Sequence, residues 1–174
     1  MLQKVLIIGQ LLPEPSATAA GKRMLGIIRF MQSLAPNVFF VHIAPPSTLS
    51  VNLPQIGVKT QQIAINDSAF DDLLKEFNPD CVIFDRFYTE EQMAWRVAEI
   101  CPLAIRILDM EDLHSLRLSK QSAVQKGEEW SLDVLRSSDV FMREISSMYR
   151  CDISWVISNI EMELLTQQLN FPPS

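Results

Sequence analysis

Short apolar runs alternate with segments of helical periodicity along the whole chain, and this alternation is what most limits the fold. The first run, residues 4–9, is a continuous apolar stretch closed by glycine, which is typical of a strand buried on both faces. Repeated strand–helix units require parallel strands and right-handed crossovers. The sequence therefore predicts an α/β fold, a single doubly wound, Rossmann-like parallel sheet with helices on both faces. The further strands are predicted at 38–41, 61–65, 81–84, 104–108 and 153–157.

Apolar residues recur at intervals of three and four between the predicted strands, which indicates amphipathic crossover helices. Residues 112–149 show this pattern with one interruption, which favours two helices. Thr89 to Gln92 and Ser158 to Glu161 have the spacing of a capping box, in which two side chains satisfy free backbone N–H groups at a helix start. We therefore expect one helix to begin at each of these two positions.

Composition and charge argue against several classes of protein. A length of 174 residues suits one domain, and a hydrophobic content of 48% is enough for a substantial core. The 15 basic and 21 acidic residues give a net charge of −6 without a long basic run, so nucleic acid is not an expected partner. No stretch approaches the roughly 18 apolar residues of a transmembrane helix, and no secretory signal pattern is present. Three widely spaced cysteines, Cys81, Cys101 and Cys151, predict reduced thiols and a cytoplasmic protein.

Side chains with acid–base chemistry are concentrated directly after the fifth predicted strand. Asp109, Glu111, Asp112 and His114 follow one another there. In an open α/β sheet, ligands bind in the crevice outside the carboxyl ends of the strands. A neighbouring carboxylate orients an imidazole and makes it a competent proton acceptor. We therefore predict His114, Asp109 and Glu111 as candidate catalytic residues and Asp112 as a substrate-binding residue, with decoration of a helix start as the structural alternative.

Two other loops at the same edge contribute candidate substrate-binding residues. Gln10 and Gly21 belong to the loop after the first strand, where small residues let a ligand approach backbone N–H groups at a helix start. Asp85 and Arg86 follow the fourth strand, where a carboxylate can accept hydrogen bonds from sugar hydroxyls. An ordinary proline-containing connection and a local ion pair are the alternative interpretations of these two loops.

The sequence predicts neither a cofactor nor a metal. The G-x-G-x-x-G fingerprint of dinucleotide binding is absent after Gly9, and so is the P-loop pattern with its lysine. Asp109, Glu111 and His114 are ligand types that suit a divalent ion, yet no second acidic or histidine motif completes a shell. His42, at the end of the second strand, is interpreted as a satisfied edge residue.

Three basic residues, Lys22, Arg23 and Arg29, fall on the predicted first helix beside its apolar stripe. Basic residues are the default on exposed helix surfaces, so we expect a solvated outer face. Weak contact with an anionic membrane surface is the alternative.

The order of these motifs resembles a known family of enzymes. The chain looks like the amino-terminal domain of a GT-B-fold glycosyltransferase of the family-four retaining type, and the resemblance covers nearly the whole chain. It implies sugar transfer from a nucleotide-sugar donor to an acceptor hydroxyl without an obligatory metal. It also implies that residues 1–174 form the acceptor-side domain, that the donor-binding domain is absent from this chain, and that the chain alone is inactive. The segments that carry the resemblance are 4–9, 20–24, 78–86, 154–158 with Glu161 and Leu164, and above all 108–114.

Within this resemblance, His114, Asp109 and Glu111 are the best positional matches to the groups that meet the reacting sugar. The family often has adjacent glycines in the first loop, contacting the donor diphosphate, whereas this chain has Ala20 and Gly21. The expected partners are a sugar or glycan acceptor and, through the second domain, a nucleotide sugar as co-substrate. One alternative is a stand-alone α/β binding module without catalysis. Another is an NAD-dependent epimerase or dehydrogenase, which the missing glycine fingerprint disfavours.

Overall fold

Six parallel strands form one sheet in the computed structural model, which describes residues 2–172. Their spatial order is β3-β2-β1-β4-β5-β6, and every neighbouring pair is parallel. This order reverses direction between β1 and β4, as in doubly wound sheets whose ligand crevice opens at that point. The predicted fold class is therefore confirmed. The strands are β1 (Lys4–Gly9), β2 (Asn37–His42), β3 (Lys59–Gln62), β4 (Cys81–Asp85), β5 (Ile105–Asp109) and β6 (Ile153–Trp155).

Within the described residues, seven α-helices connect and follow these strands: α1 (Ala19–Leu34), α2 (Ala69–Phe77), α3 (Phe87–Ile100), α4 (His114–Lys126), α5 (Leu132–Arg136), α6 (Asp139–Arg150) and α7 (Asn159–Glu163). A 3₁₀ turn spans Leu53–Ile56, and a π-helical turn over Leu164–Gln168 continues α7. Three helices, rather than the expected two, occupy the segment between β5 and β6. Gly127 takes the left-handed conformation that ends α4, and the Ser131 hydroxyl caps α5, so the interruption makes a third helix.

The two faces of the sheet bury alternate residues of the central strands. Val5 and Ile7 of β1 face α1, while Leu6 and Ile8 pack against the helices on the other side, and all four side chains are fully buried. Full burial of one such side chain is worth about 1.5–3 kcal/mol. The continuous apolar run in the sequence is therefore explained by a strand covered on both sides.

The face that α1 covers is open over β5 and β6. Met24 and Ile28 of α1 pack in the same cluster as β1 and β2, whereas Ile105 of β5 remains 42% exposed and Ile153 of β6 37% exposed. Ile107, the register partner of Ile153 in β5, is 5% exposed. The edge of the sheet at β6 is consequently less covered on this face than the centre.

Several predicted boundaries differ from the structure, among them the end of β6, which lies at Trp155 instead of residue 157. The third strand lies at Lys59–Gln62 instead of 61–65, because its polar residues pair with the carboxyl half of β2. The helix expected to start at Thr89 begins at Phe87, so Thr89 lies inside it and its Oγ1 is buried without a hydrogen-bond partner. The capping-box prediction at Thr89 is wrong because the chain turns earlier, at Arg86.

The second predicted capping box is half formed. The Ser158 hydroxyl accepts a hydrogen bond from the Glu161 N–H at 3.2 Å, as the spacing predicts. The Glu161 carboxylate does not return to its own helix and accepts instead from the N–H of Leu113 at 3.1 Å. This contact ties the start of α7 to the loop after β5.

All three cysteines are free thiols. Burial raises the pKa of Cys81 and of Cys151 to about 12, so both thiols stay protonated near neutral pH. Across residues 2–172, every helix is too short or too polar to traverse a lipid bilayer.

Candidate functional site

Two adjoining cavities open at the carboxyl ends of the central strands, and Arg86 lines both of them. The first, of about 260 Å³, is lined by Gln10, Gly21 and Asp85 among others. The second, of about 370 Å³, is lined by Glu111, Asp112, His114, Arg117 and Ile157 besides Arg86. We call the two together the carboxyl-edge cleft. The fold thus brings the loop after β1 and the acidic segment after β5 to the same place.

Arg86 occupies the centre of the carboxyl-edge cleft in an unusual backbone conformation. Its φ of 72° and ψ of 160° fall in a region that is essentially restricted to glycine and costs about 1–3 kcal/mol. Its N–H donates to the Asp109 carbonyl at 2.8 Å, which fixes the turn between β4 and α3. Its guanidinium donates to the Glu111 carboxylate at 2.5 Å and to the Tyr88 hydroxyl. Glu111 itself has a φ of 60°, so two strained residues face each other across the cleft.

Asp85 is the register partner of Asp109 at the ends of β4 and β5. Burial raises the pKa of the Asp85 carboxyl to about 6, and the nearby Arg86 guanidinium, 3.7 Å away, opposes the rise. Asp109 and Glu111 add repulsion in the same direction as burial. The carboxyl of Asp85 therefore exchanges its proton close to neutral pH.

The imidazole of His114 is held by the carboxylate of Asp112. The Nδ1 atom lies 2.8 Å from Asp112 Oδ1, and Arg117 donates to the other oxygen of the same carboxylate at 2.6 Å. The hydrogen bond of Nδ1 goes to the Asp112 carbonyl oxygen at 3.2 Å. Carbonyl and carboxylate oxygens only accept hydrogen bonds, so Nδ1 carries the proton and Nε2 keeps its lone pair in the neutral ring. The ring also packs edge-on against Phe87 and Tyr88. The arrangement leaves Nε2 as the ring nitrogen that can take a proton.

Asp109 lies beneath the carboxyl-edge cleft and not in its lining. Its side chain is 2% exposed, and Arg23 of α1 contacts it at 2.6 Å through Nη2 and at 3.1 Å through Nε. The expectation that Arg23 belongs to a solvated outer face is therefore wrong. No local pattern predicts this pair, because the two residues are 86 positions apart.

Gly21 allows the loop after β1 to pack on the first turn of α1. A Cβ atom there would lie 2.5–2.6 Å from the backbone atoms of Glu14, which is too close for any side chain. The N–H of Gly21 donates to the Thr18 hydroxyl at 2.9 Å. Gly21 thus permits close contact with the backbone of Glu14, where the sequence had suggested close contact with a ligand. Gln10 lines the same cavity, and its carbonyl accepts from the N–H of Ala44 at 2.8 Å.

Residues 2–172 contain no group of three or more His, Cys, Asp or Glu side chains arranged to hold a metal ion. His42 is buried at the end of β2, and its Nδ1 lies 2.8 Å from the Ala44 carbonyl, as expected for a satisfied histidine.

Comparison with known proteins places the chain by its fold. No family model matches the sequence, and no curated protein matches it. An α-glucosyltransferase in complex with UDP and a 13-mer DNA containing a central A:G mismatch has a TM-score of 0.51 at 10% identity, over 91% of this chain and 38% of that chain. A putative NAD-dependent epimerase/dehydratase from Methylobacillus flagellatus has a TM-score of 0.51 at 12% identity, over 99% of this chain and 62% of that chain. The likeness is one of fold.

A third solved structure, the lipopolysaccharide outer core galactosyltransferase WaaB in its apo form, has a TM-score of 0.48 at 16% identity, over 88% of this chain and 45% of that chain. This chain therefore spans less than two thirds of the length of each of the three proteins.

Proposed function

We propose that this chain is the acceptor-side domain of a glycosyltransferase of the GT-B, family-four-like type. In this proposal the carboxyl-edge cleft holds a sugar or glycan acceptor, and a second domain outside this chain binds the nucleotide sugar. The observation that carries the proposal is the placement of Arg86, Glu111, Asp112 and His114 around one cavity at the strand ends. The fold shared with a glucosyltransferase supports it.

The chemistry of the carboxyl-edge cleft fits a polyhydroxylated ligand. Sugar hydroxyls both donate and accept hydrogen bonds, and the cleft supplies acceptors in Asp85, Glu111 and Asp112 and donors in Arg86 and Arg117. Both arginines are already paired with carboxylates, so the cleft has no excess of positive charge. A neutral sugar can bind to the remaining donor and acceptor positions of these pairs without adding a charge.

We assign the proton transfer to His114. Its Nε2 is positioned to accept the proton of the acceptor hydroxyl as that oxygen attacks the donor sugar, with Asp112 stabilising the resulting imidazolium. Asp109 holds Arg23 and acts on the cleft indirectly, through its carbonyl, which accepts from the Arg86 N–H, and through its charge beside Asp85. The leaving diphosphate needs electrostatic stabilisation from the second domain, so we expect the chain alone to be inactive.

The alternative of an NAD-dependent enzyme is favoured by the fold shared with the putative epimerase/dehydratase. Dinucleotide-binding folds use a free helix N-terminus for the pyrophosphate and an acidic residue after the second strand for the ribose. In this chain the N–H of Gly21 is bonded to Thr18, and β2 ends in the buried His42. Both observations weigh against NAD.

Calorimetric titration of the 174-residue chain with methyl glycosides, UDP-glucose and NAD tests the proposal. We expect binding of at least one glycoside, and Arg86→Met should weaken it about tenfold by removing one charged donor. Arg96→Met is the matched control, because Arg96 pairs with Asp71 at 2.5 Å and lines neither cavity of the cleft. Binding of NAD but of no glycoside would make the chain a dinucleotide-binding domain. Binding of neither NAD nor any sugar compound would favour a stand-alone α/β binding module without catalysis.

A further inference from the structure

A buried carboxylate from another helix closes the N-terminus of α4, where His114 stands. Glu144 of α6 is completely buried, and its two oxygens accept hydrogen bonds from the N–H of His114 at 2.8 Å and from the N–H of Ser115 at 2.9 Å. A helix normally receives such bonds from the side chain of its own N-cap residue. The N-cap of α4 is Leu113, whose side chain has no acceptor. Glu144 therefore supplies the missing cap from a distant part of the chain.

A second carboxylate completes this arrangement. Glu161 of α7 accepts from the N–H of Leu113 at 3.1 Å, so three consecutive N–H groups at the start of α4 are bonded to carboxylates. Negative charge at a helix N-terminus is favourable because it complements the helix dipole. The place where an external anion would dock on α4 is thus already filled by the protein.

We propose that Glu144 is a positioning residue for His114. It fixes the backbone from which the imidazole projects, while Asp112 fixes the ring itself. Its nearer oxygen lies 3.9 Å from His114 Nδ1, against 2.8 Å for the oxygen of Asp112, so Glu144 acts on the main chain and Asp112 on the ring. The inference rests on the proposed function, in which His114 takes the proton of the acceptor.

The burial of Glu144 is consistent with this role. An isolated buried carboxylate is costly, and the cost is offset only when hydrogen bonds satisfy its oxygens. Burial raises the pKa of the Glu144 carboxyl, and the hydrogen bonds from Ser115 and His114 oppose the rise. Because the cap comes from α6, the direction in which α4 begins depends on the packing of α4 against α6. The backbone position of His114 is thereby set by the core, and the loop residue Asp112 then orients the ring.

The test is NMR of the uniformly ¹⁵N-labelled chain without any ligand, comparing the wild type with Glu144→Gln. The amide nitrogen of glutamine cannot accept a hydrogen bond, so one N–H of the helix start loses its partner. We expect amide exchange of His114 and Ser115 to become about tenfold faster. We also expect the His114 ring nitrogens to lose the single Nδ1–H tautomer pattern of the wild type.

Glu90→Gln is the matched control. Glu90 is also completely buried, and it pairs with Arg150 without contacting α4. This variant should leave the exchange and ring signals of His114 unchanged. If Glu144→Gln does not fold, Glu144→Asp takes its place, because its shorter side chain keeps the charge and loses one of the two bonds.

Ring signals and amide exchange at His114 that are the same in the Glu144 variant and in the Glu90 control would overturn the proposal. So would rapid exchange of the His114 and Ser115 amides in the wild type, which is measured whether or not a variant folds. No sugar is present in this experiment. A failure of Glu144 as a positioning residue is therefore distinguishable from a failure of the carboxyl-edge cleft to bind sugars.

Discussion

At the scale of single residues, the carboxyl-edge cleft is a set of charges whose partners come from different strand ends. Arg86 meets Glu111 across the ends of β4 and β5, Arg23 reaches Asp109 from α1, and Asp85 lies beneath Arg86 with a proton to exchange. Each of these contacts stabilises a group that would otherwise be costly at low exposure. Replacing one partner at a time measures how much each pair contributes.

Asp85→Asn should stabilise the fold at neutral pH. The folded-state pKa of about 6 lies above the ordinary value of 3.8, so the ionised carboxylate costs stability, and this cost is absent below about pH 4 and complete above about pH 6. A pKa rise from 3.8 to about 6 corresponds to about 3 kcal/mol at pH 8. Urea unfolding at pH 4 and pH 8 checks this. Asp72→Asn, at an exposed position, is the control and should show no comparable pH-dependent gain. A gain for Asp85→Asn that is equal at both pH values would refute the prediction.

Arg23→Met should cost about 2 kcal/mol of folding stability, because it leaves the buried Asp109 carboxylate without its partner. The value is set below that of a fully buried pair, since the Arg23 side chain is 31% exposed. Arg29→Met, on the exposed side of the same helix, should change stability by less than about 0.5 kcal/mol. Equal effects of the two variants in thermal unfolding would show that the contact between Arg23 and Asp109 contributes nothing.

At the scale of elements, strands were more predictable than helix starts. Apolar runs indicate strands because burial on both faces is a local property of the sequence. Helix starts depended on distant residues: Arg86 turns the chain before α3 through its bond to Asp109, and Glu144 and Glu161 cap α4 from α6 and α7. The spacing of a capping box takes account only of contacts within one helix start. It therefore predicted one of the two contacts at Ser158 and neither of those at Thr89.

Two glycines of α1 should respond in opposite directions to replacement by alanine. Gly21→Ala places a Cβ against the backbone of Glu14, and we expect a loss of about 2 kcal/mol from overpacking. Gly26→Ala meets nothing within 4 Å, so it should gain about 0.5–1 kcal/mol through helix propensity. Urea unfolding of both variants separates the two effects. A stabilised Gly21→Ala would mean that the loop does not pack on α1 as described.

At the scale of the whole molecule, the strand order explains why the site residues meet. Parallel strands end at one edge, so residues after β1, β4 and β5 were expected together, and the structure places Gln10, Arg86 and His114 around the carboxyl-edge cleft. The ion pairs in and beneath the cleft could not be predicted from the sequence, because contacts such as Arg23 with Asp109 depend on how α1 lies on the sheet. The same topology leaves one face open over β5 and β6.

This uneven coverage predicts a difference between neighbouring isoleucines of β5. Ile107→Ala should cost about 2–5 kcal/mol, since the side chain is 5% exposed in the core. Ile105→Ala, two residues earlier on the same face, should cost about 1 kcal/mol, since water already reaches 42% of that residue. Thermal unfolding of the two variants gives the comparison. Equal losses would mean that the open part of the face is covered in solution.

Sugar binding in the carboxyl-edge cleft is tested by a map of amide chemical-shift changes on adding the glycoside that binds in calorimetry. We predict that the changes cluster at residues 10–14, 85–88 and 110–117, around the carboxyl-edge cleft. A separate cavity of about 210 Å³, outside the carboxyl-edge cleft, is lined by Met148, Val156 and Phe171 among others and serves as the contrasting location. Changes confined to this separate cavity, with residues 85–88 and 110–117 unaffected, would contradict the assignment of the sugar site.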